Sequence, residues 1–313
     1  MFFYAVRRIL ATLPVMAVVA LFVFSLLYLS PGDPAEIIAG DQATAVDVQR
    51  IRVSLGLDRP LIVQFAEWAW RVAQGDLGRS IFTNQPVSHM IAQRVESTVS
   101  LLVLTLALSI VIAVPMGVLA AWKHGTLIDS AVIVLAVLAS SIPVFVIGYV
   151  LAYSLGLEFD WFPVQGYTPI SEGVGPWLNN LALPVIALSS AYVALISRIT
   201  RASMLEILNQ DFIRTARAKG MGQSPILFVH ALKNAAVPIV TVIGLGVAGL
   251  IGGAVVTESV FAMPGIGRLV ADAILRRDYP VIQGVVLIFS FLYVLVNLAV
   301  DLTYALLDPR IRY

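Results

Sequence analysis

Six stretches of this chain are each long enough to cross a bilayer and contain no Asp, Glu, Lys, Arg or His. They run from Ile9 to Ser30, Thr98 to Ala121, Ser130 to Leu157, Trp177 to Ser197, Ala235 to Thr257 and Val281 to Val300. A helix rises about 1.5 Å per residue, so about 20 apolar residues cross a hydrocarbon core of about 30 Å. In lipid no water is at hand for backbone amides, and a helix satisfies them internally. The alternating strands of a membrane barrel are missing from the pattern. The expected fold class is all-α: a polytopic membrane protein with six transmembrane helices. The third window is the longest and reads as one tilted span. Pro115 and Pro143 interrupt the second and third windows. The first window is too long for a cleavable signal core and reads as a retained anchor.

Composition agrees. The 313 residues are 59% hydrophobic and 12% charged, with a mean hydropathy of +0.91. A soluble domain carries about 25% charged residues. With no cysteine, disulfides, thiolate metal sites and cysteine nucleophiles are excluded. His89, His124 and His230 are isolated in the sequence, and no metal site is expected. The serines inside the windows have no His, Lys or Asp beside them at depth, so no catalytic residue is named. Lys123, Lys219 and Lys233 follow Trp, Ala and Leu. A phosphate-binding P-loop needs Gly-Lys-Ser/Thr, so ATP hydrolysis belongs to another chain. Gly244-Leu-Gly246-Val-Ala-Gly249 matches a dinucleotide fingerprint, but it lies inside the fifth window. There it reads as close helix contact, with Gly249 and Gly253 a small-xxx-small pair. No cofactor is expected. Twenty basic residues balance 19 acidic ones, which gives no case for nucleic acid.

Placing both termini in the cytoplasm puts eleven of the 20 basic residues inside. Most of the others lie in the long segment after the first window, which weighs little. The expected organisation is an N-terminal transmembrane helix at 1–30, an extracytoplasmic segment at 31–97, and a five-helix core at 98–313. In the outer segment, Asp47 to Leu55 and Leu61 to Ala73 have helical periodicity, broken at Arg59-Pro60. Trp68 and Trp70 suit either an aromatic anchor or a local core. Between the fifth and sixth windows, Pro264-Gly265-Ile266-Gly267 reads as a turn followed by a short helix.

The one sizeable inner segment, at about 201–235, reads as helix, turn, helix. Leu205, Leu208, Phe212 and Ala216 recur on one helical face, with Arg214 and Arg217 on another. Gly220 suits a helix stop. Ser224 and Pro225 suit an N-cap and first-turn position of the next helix. Such a knob fits a groove on another protein; it equally fits a plain connecting hairpin.

At this point a resemblance becomes specific. The segment is similar to the cytoplasmic Glu-Ala-Ala loop of ABC importer permeases, with Arg214-Thr215-Ala216, three residues, then Gly220, and Pro238 after the sequence HALKNAA. Arg214 and Thr215 depart from the general pattern and resemble the peptide and nickel branch. So do Pro31-Gly32-Asp33-Pro34, LGLDRPLIVQF at 55–65, Gly75-Asp76-Leu77-Gly78-Arg79-Ser80 and LLDPRIRY at 306–313. The resemblance implies a permease subunit, in a bacterial inner membrane, that forms half of a pathway for peptides or a related solute such as glutathione. It implies a second homologous permease as heterodimer partner, two ATP-binding subunits and an extracytoplasmic solute-binding protein. It places ATPase coupling at Arg214, Thr215, Ala216, Arg217 and Gly220, and names no substrate-binding residue. An ion-coupled carrier or channel is the other class. Carriers of that class use ionisable residues inside the membrane, and these windows hold none.

Overall fold

A computed structural model describes residues 2–29, 33–39, 44–54 and 56–307. The sequence motifs at 31–32 and 308–313 lie outside the described residues. Among those described there is no β-strand, only an isolated antiparallel bridge between Arg79 and Pro86. The helices are α1 (Phe2–Leu29), α2 (Pro34–Ala39), α3 (Ala45–Ser54), α4 (Leu61–Ala73), α5 (Val87–Ala92) and α6 (Val95–Trp122). Then come α7 (Leu127–Ser141), α8 (Val144–Leu151), α9 (Val174–Leu208), α10 (Asp211–Ala218), α11 (Leu232–Val260), α12 (Ile266–Arg276) and α13 (Tyr279–Leu307). Wide π-type turns extend α8 over Ala152–Glu158 and lead into α11 over Pro225–Ala231.

Among the described residues, five apolar helices are long enough to cross a membrane: α1, α6, α9, α11 with its leading turn, and α13. The third window is where the fold departs from expectation. It is no single tilted helix: α7 and the α8 segment meet at 96°. The cause is local. The residue before a proline is pushed out of the helical region, and Ile142 sits at φ −93°, ψ 124°. Pro115 behaves otherwise. It lies inside α6, which continues unbroken to Trp122, so the expected interruption there does not occur. A single missing N–H is tolerated in a membrane helix when the turns around it stay bonded.

Contacts group the chain into two compact units. The first holds Glu96–Gly267 with the described residues 2–5 and 295–307. Its centre is α9, which packs against α7, α8 and α11. Glycines let these helices approach. A Cβ on Gly117 of α6 would lie 2.5 Å from the Thr200 Cβ and 2.7 Å from the Ser197 carbonyl oxygen of α9. Gly244 meets Val300, Gly246 and Gly249 meet Tyr192, and Gly253 meets Leu188. The apparent dinucleotide fingerprint is thus a helix-packing surface, as its place in the fifth window suggests. Gly117→Ala is expected to lower stability by about 1–3 kcal/mol, because backbone as well as side chain must move. Thermal unfolding in detergent measures it; an unchanged midpoint would show that the α6–α9 contact has slack.

The second unit holds Val6–Val95 and Arg268–Val294. Phe24 of α1 meets Phe65 and Trp68 of α4 at ring-centroid distances of 5.4 and 5.6 Å. Of the two tryptophans weighed from sequence, Trp68 is therefore half-buried in a local aromatic cluster, while Trp70 is exposed. The buried Asp278 before α13 accepts hydrogen bonds from Ser80 Oγ at 2.5 Å and from the Ile81 N–H at 3.2 Å. Those bonds fix the turn at 78–81.

Candidate coupling site

The inner segment is built on the end of α9. Helix α9 stops at Leu208, and Gln210 is extended at φ −73°, ψ 151°. Helix α10 restarts at Asp211 with a new register. The expected continuous face of Leu205, Leu208, Phe212 and Ala216 is therefore broken. Ile213 is the fully buried residue of α10, Phe212 turns outward, and Ala216 is half-buried. Ile213 packs with Met204 of α9, Ile226, Leu227 and Ala231 of the following turn, and Val118 and Ala121 of α6. Helix α10 thus lies against the Pro225–Ala231 turn and shares a buried core with the ends of α6, α9 and α11.

Its far end is a Schellman stop. The Met221 N–H donates to the Ala216 carbonyl at 3.2 Å, and the Gly220 N–H to the Arg217 carbonyl at 3.0 Å. Gly220 stands at φ +77°, the left-handed region that costs other residues about 1–2 kcal/mol. Nothing lies within 4 Å of the place its Cβ would take, so conformation selects the glycine, not space. The second helix begins differently from expectation. Ser224 is already helical at φ −60°, ψ −49° and makes no capping bond, while Pro225 does sit in the first turn. The helix starts at Gln223, which leaves no capping role for Ser224.

The five residues named from sequence come together on this short element. Arg214, Thr215, Arg217 and Gly220 are exposed and Ala216 is half-buried. The Arg214 side chain is 75% exposed and touches the still more open Asp211 only at 3.4 Å. Phe212, Met221, Phe228 and Val229 leave apolar surface open on the same segment. The element offers basic and apolar groups side by side to the outside of the chain.

Sequence reasoning missed a polar cluster at the start of α7. The buried Asp129 carboxylate accepts hydrogen bonds from Arg201 Nε at 2.5 Å and Nη2 at 2.8 Å. It also accepts the Gly125 N–H at 3.0 Å, and His124 Nδ1 lies 3.0 Å away. His124, isolated in sequence, thus has a carboxylate partner. The turn at Gly125, φ +76°, brings the two together. Arg201 stands 72 positions from Asp129, so no local pattern could pair them. This cluster ties the start of α7 to α9, three residues before Met204 of the α10 core.

At the other end of α11, the predicted turn Pro264–Gly267 is present and α12 follows it. Glu258 is fully buried and accepts the Thr98 hydroxyl at 2.6 Å. A Cβ on Gly265 would lie 2.0–2.2 Å from the Glu258 carboxyl group, so the turn closes over that side chain only with glycine there. The loop from 258 is consequently core at its beginning. Its longest open stretch is residues 274–277, among them Ile274 and Leu275.

Residues 113–313 match the family model of the inner membrane component of binding-protein-dependent transport systems. Residues 1–102 match the N-terminal model of the same membrane components. The chain belongs to this family. It is a multi-pass permease component of an ABC importer in a bacterial inner membrane, which decides against the ion-coupled carrier. A probable peptide ABC transporter permease of Sinorhizobium fredii is 55% identical over 99% of both chains. A glutathione transport permease of Pectobacterium atrosepticum is 40% identical over 99% of both. A dipeptide transport permease of Alkalihalophilus pseudofirmus is 38% identical, again over 99% of both. Among solved structures, a chain of the inward-facing MetNI methionine ABC transporter superposes with a TM-score of 0.58. It is 18% identical and covers 70% of this chain and 96% of its own, a likeness of fold.

Proposed function

We propose that this chain forms half of the translocation unit of a peptide-class ABC importer, and that α10 with its Gly220 turn is where an ATPase subunit docks. The observation that carries the docking reading is the placement of α10: exposed outward, yet tied through the buried Ile213 into the core that the ends of α6, α9 and α11 share. A push on such an element moves α6, α9 and α11, whereas a loose loop would absorb it. Arg214 and Arg217 meet acidic groups of the ATPase, Ala216 lies against the wall of its groove, and Gly220 shapes the end of the contact. Nucleotide binding by two ATPase subunits supplies the differential affinity that shifts the permease between outward and inward states. The partner across the pathway is a second, homologous permease, since the spans of one chain make one side of a passage. A solute-binding protein delivers the cargo to the extracytoplasmic surface, which includes the segment at 31–97. The substrate class rests on relatives named for peptides, dipeptides and glutathione.

Transport of labelled di- and oligopeptides into vesicles holding the reconstituted complex tests this directly. ATP-dependent uptake that needs the binding protein is the expected result. Uptake of none of these peptides by an ATP-hydrolysing complex would remove the substrate class. The membrane orientation has its own test in this chain without cysteine. Gln74→Cys is expected to react with an impermeant thiol reagent from outside intact cells, and Gln223→Cys only after lysis. The reverse pattern would place α10 on the side away from the ATPases.

A further inference from the structure

The 96° break between α7 and α8 leaves polar main chain without partners deep in an apolar window. Asp129, with Arg201, marks one end of α7. Ile142 is thirteen residues further on, which at about 1.5 Å per residue is about 20 Å into a core of about 30 Å. The carbonyl of Ala139 would need the N–H of residue 143, and that residue is proline. The carbonyls of Ser140 and Ser141 would need the N–H groups of Val144 and Phe145, which belong to the other arm of the bend. None of these groups has another backbone partner; the Pro143 carbonyl alone is taken up, by the N–H groups of Val146 and Ile147 at 3.0 and 3.2 Å. Ser140 and Ser141 spend their hydroxyl protons on the Val137 carbonyl, at 3.0 and 2.8 Å. Their oxygen lone pairs stay free. Ser140, Ser141, Ile142 and Pro143 are all exposed on this chain.

Irregular backbone at membrane depth does not face lipid; it is buried in protein or lines water. We infer that the break at Ser140–Pro143 lines the water-filled translocation pathway and that its free carbonyl oxygens accept hydrogen bonds from N–H groups of the passing solute. The break is the C-terminal end of α7, where the helix dipole favours donors and positive charge. Tyr149 and Tyr153, one turn apart and both exposed, continue the surface along the second arm with an aromatic face and a hydroxyl each. No charged side chain takes part. A surface of this kind reads main-chain N–H groups and an amino terminus, and is indifferent to the side chains of the cargo. The choice of N–H donors as cargo rests on the peptide reading proposed above; the exposure to water does not.

The test uses the assembled transporter in vesicles cycling on ATP, with a cationic, membrane-impermeant methanethiosulfonate reagent on both sides. Ser141→Cys and Ser140→Cys replace a hydroxyl by a thiol of similar size. Leu13→Cys, on the unbroken and exposed middle of α1, is the comparator. Both serine variants are expected to react at least tenfold faster than Leu13→Cys, and a transported peptide in excess is expected to slow them. If both react as slowly as Leu13→Cys in complexes that still transport, the break is covered by the partner permease and the pathway assignment is overturned. Fast reaction that no transported peptide slows would overturn the main-chain recognition and leave the water-lined break standing.

Discussion

Ala216→Glu is expected to abolish transport while leaving the membrane helices inserted and the partner permease bound. Glu is nearly as good a helix former as Ala, so α10 keeps its conformation. The change is in what the helix offers. Position 216 is half-buried between the packed Ile213 side and the open face carrying Arg214 and Arg217. A carboxylate there is large, cancels the basic charge of its neighbours, and on docking would lose water against the acidic groups that Arg214 and Arg217 meet. An uncompensated buried charge costs about 3–5 kcal/mol. Each 1.4 kcal/mol is about tenfold in affinity, so ATPase binding should weaken by a hundredfold or more. Co-purification of the ATPase subunits from detergent measures the docking, and uptake into vesicles measures its consequence. A thermal midpoint within a few degrees of the parent shows that the chain itself is intact. Wild-type uptake and wild-type ATPase recovery together would mean that α10 only joins two spans.

How much of this was legible beforehand depends on the range of the interaction that decides each feature. Lipid imposes composition on every residue of a span, so α1, α6, α9, α11 and α13 are visible as uncharged runs. The bend in the third window is invisible to composition, since Ile142 and Pro143 are as apolar as their neighbours. Its one local signal is the conformational limit that Pro143 places on Ile142, and the same signal at Val114–Pro115 leads to no break. What differs is the surroundings of the two prolines, which the order of residues does not display. The Gly220 turn is readable because a left-handed helix stop selects glycine at a single position. The register of α10 is not. The chain breaks at Asn209–Gln210 without glycine or proline, and a one-position shift there exchanges Phe212 for Ile213 in the core. The Asp129–Arg201 pair lies beyond any local rule because 72 positions separate its members.

That pair carries the largest expected loss of stability. Asp129→Ala removes a buried carboxylate that holds Arg201 through two N–H groups, the Gly125 N–H and His124. The Arg201 side chain is only 20% exposed, so water replaces the lost acceptor poorly. Breaking a buried pair from one side costs about 3–5 kcal/mol. In a chain of this size, 1 kcal/mol moves the midpoint by about 2–4 °C, so a fall of about 6–12 °C at the least is expected in detergent. The cost lies in the stranded guanidinium and not in the absence of a salt bridge as such. Asp129→Leu combined with Arg201→Met should therefore recover most of the loss, as apolar replacements of whole buried pairs do. Because the pair is sheltered, high salt should change the parent's midpoint little. The functional consequence follows from position. The same pair fixes the start of α7 to α9, and α9 carries Met204 under α10 and runs on directly to it. With Asp129 gone, a push on α10 still reaches α9 but is no longer passed rigidly to α7 and the break at its far end. Transport per molecule of ATP hydrolysed should then fall in Asp129→Ala even below its melting range, and return in the double replacement only as far as the apolar contact restores rigidity. A midpoint within about 2 °C of the parent, with unchanged coupling, would show that α7 is held by its packing alone.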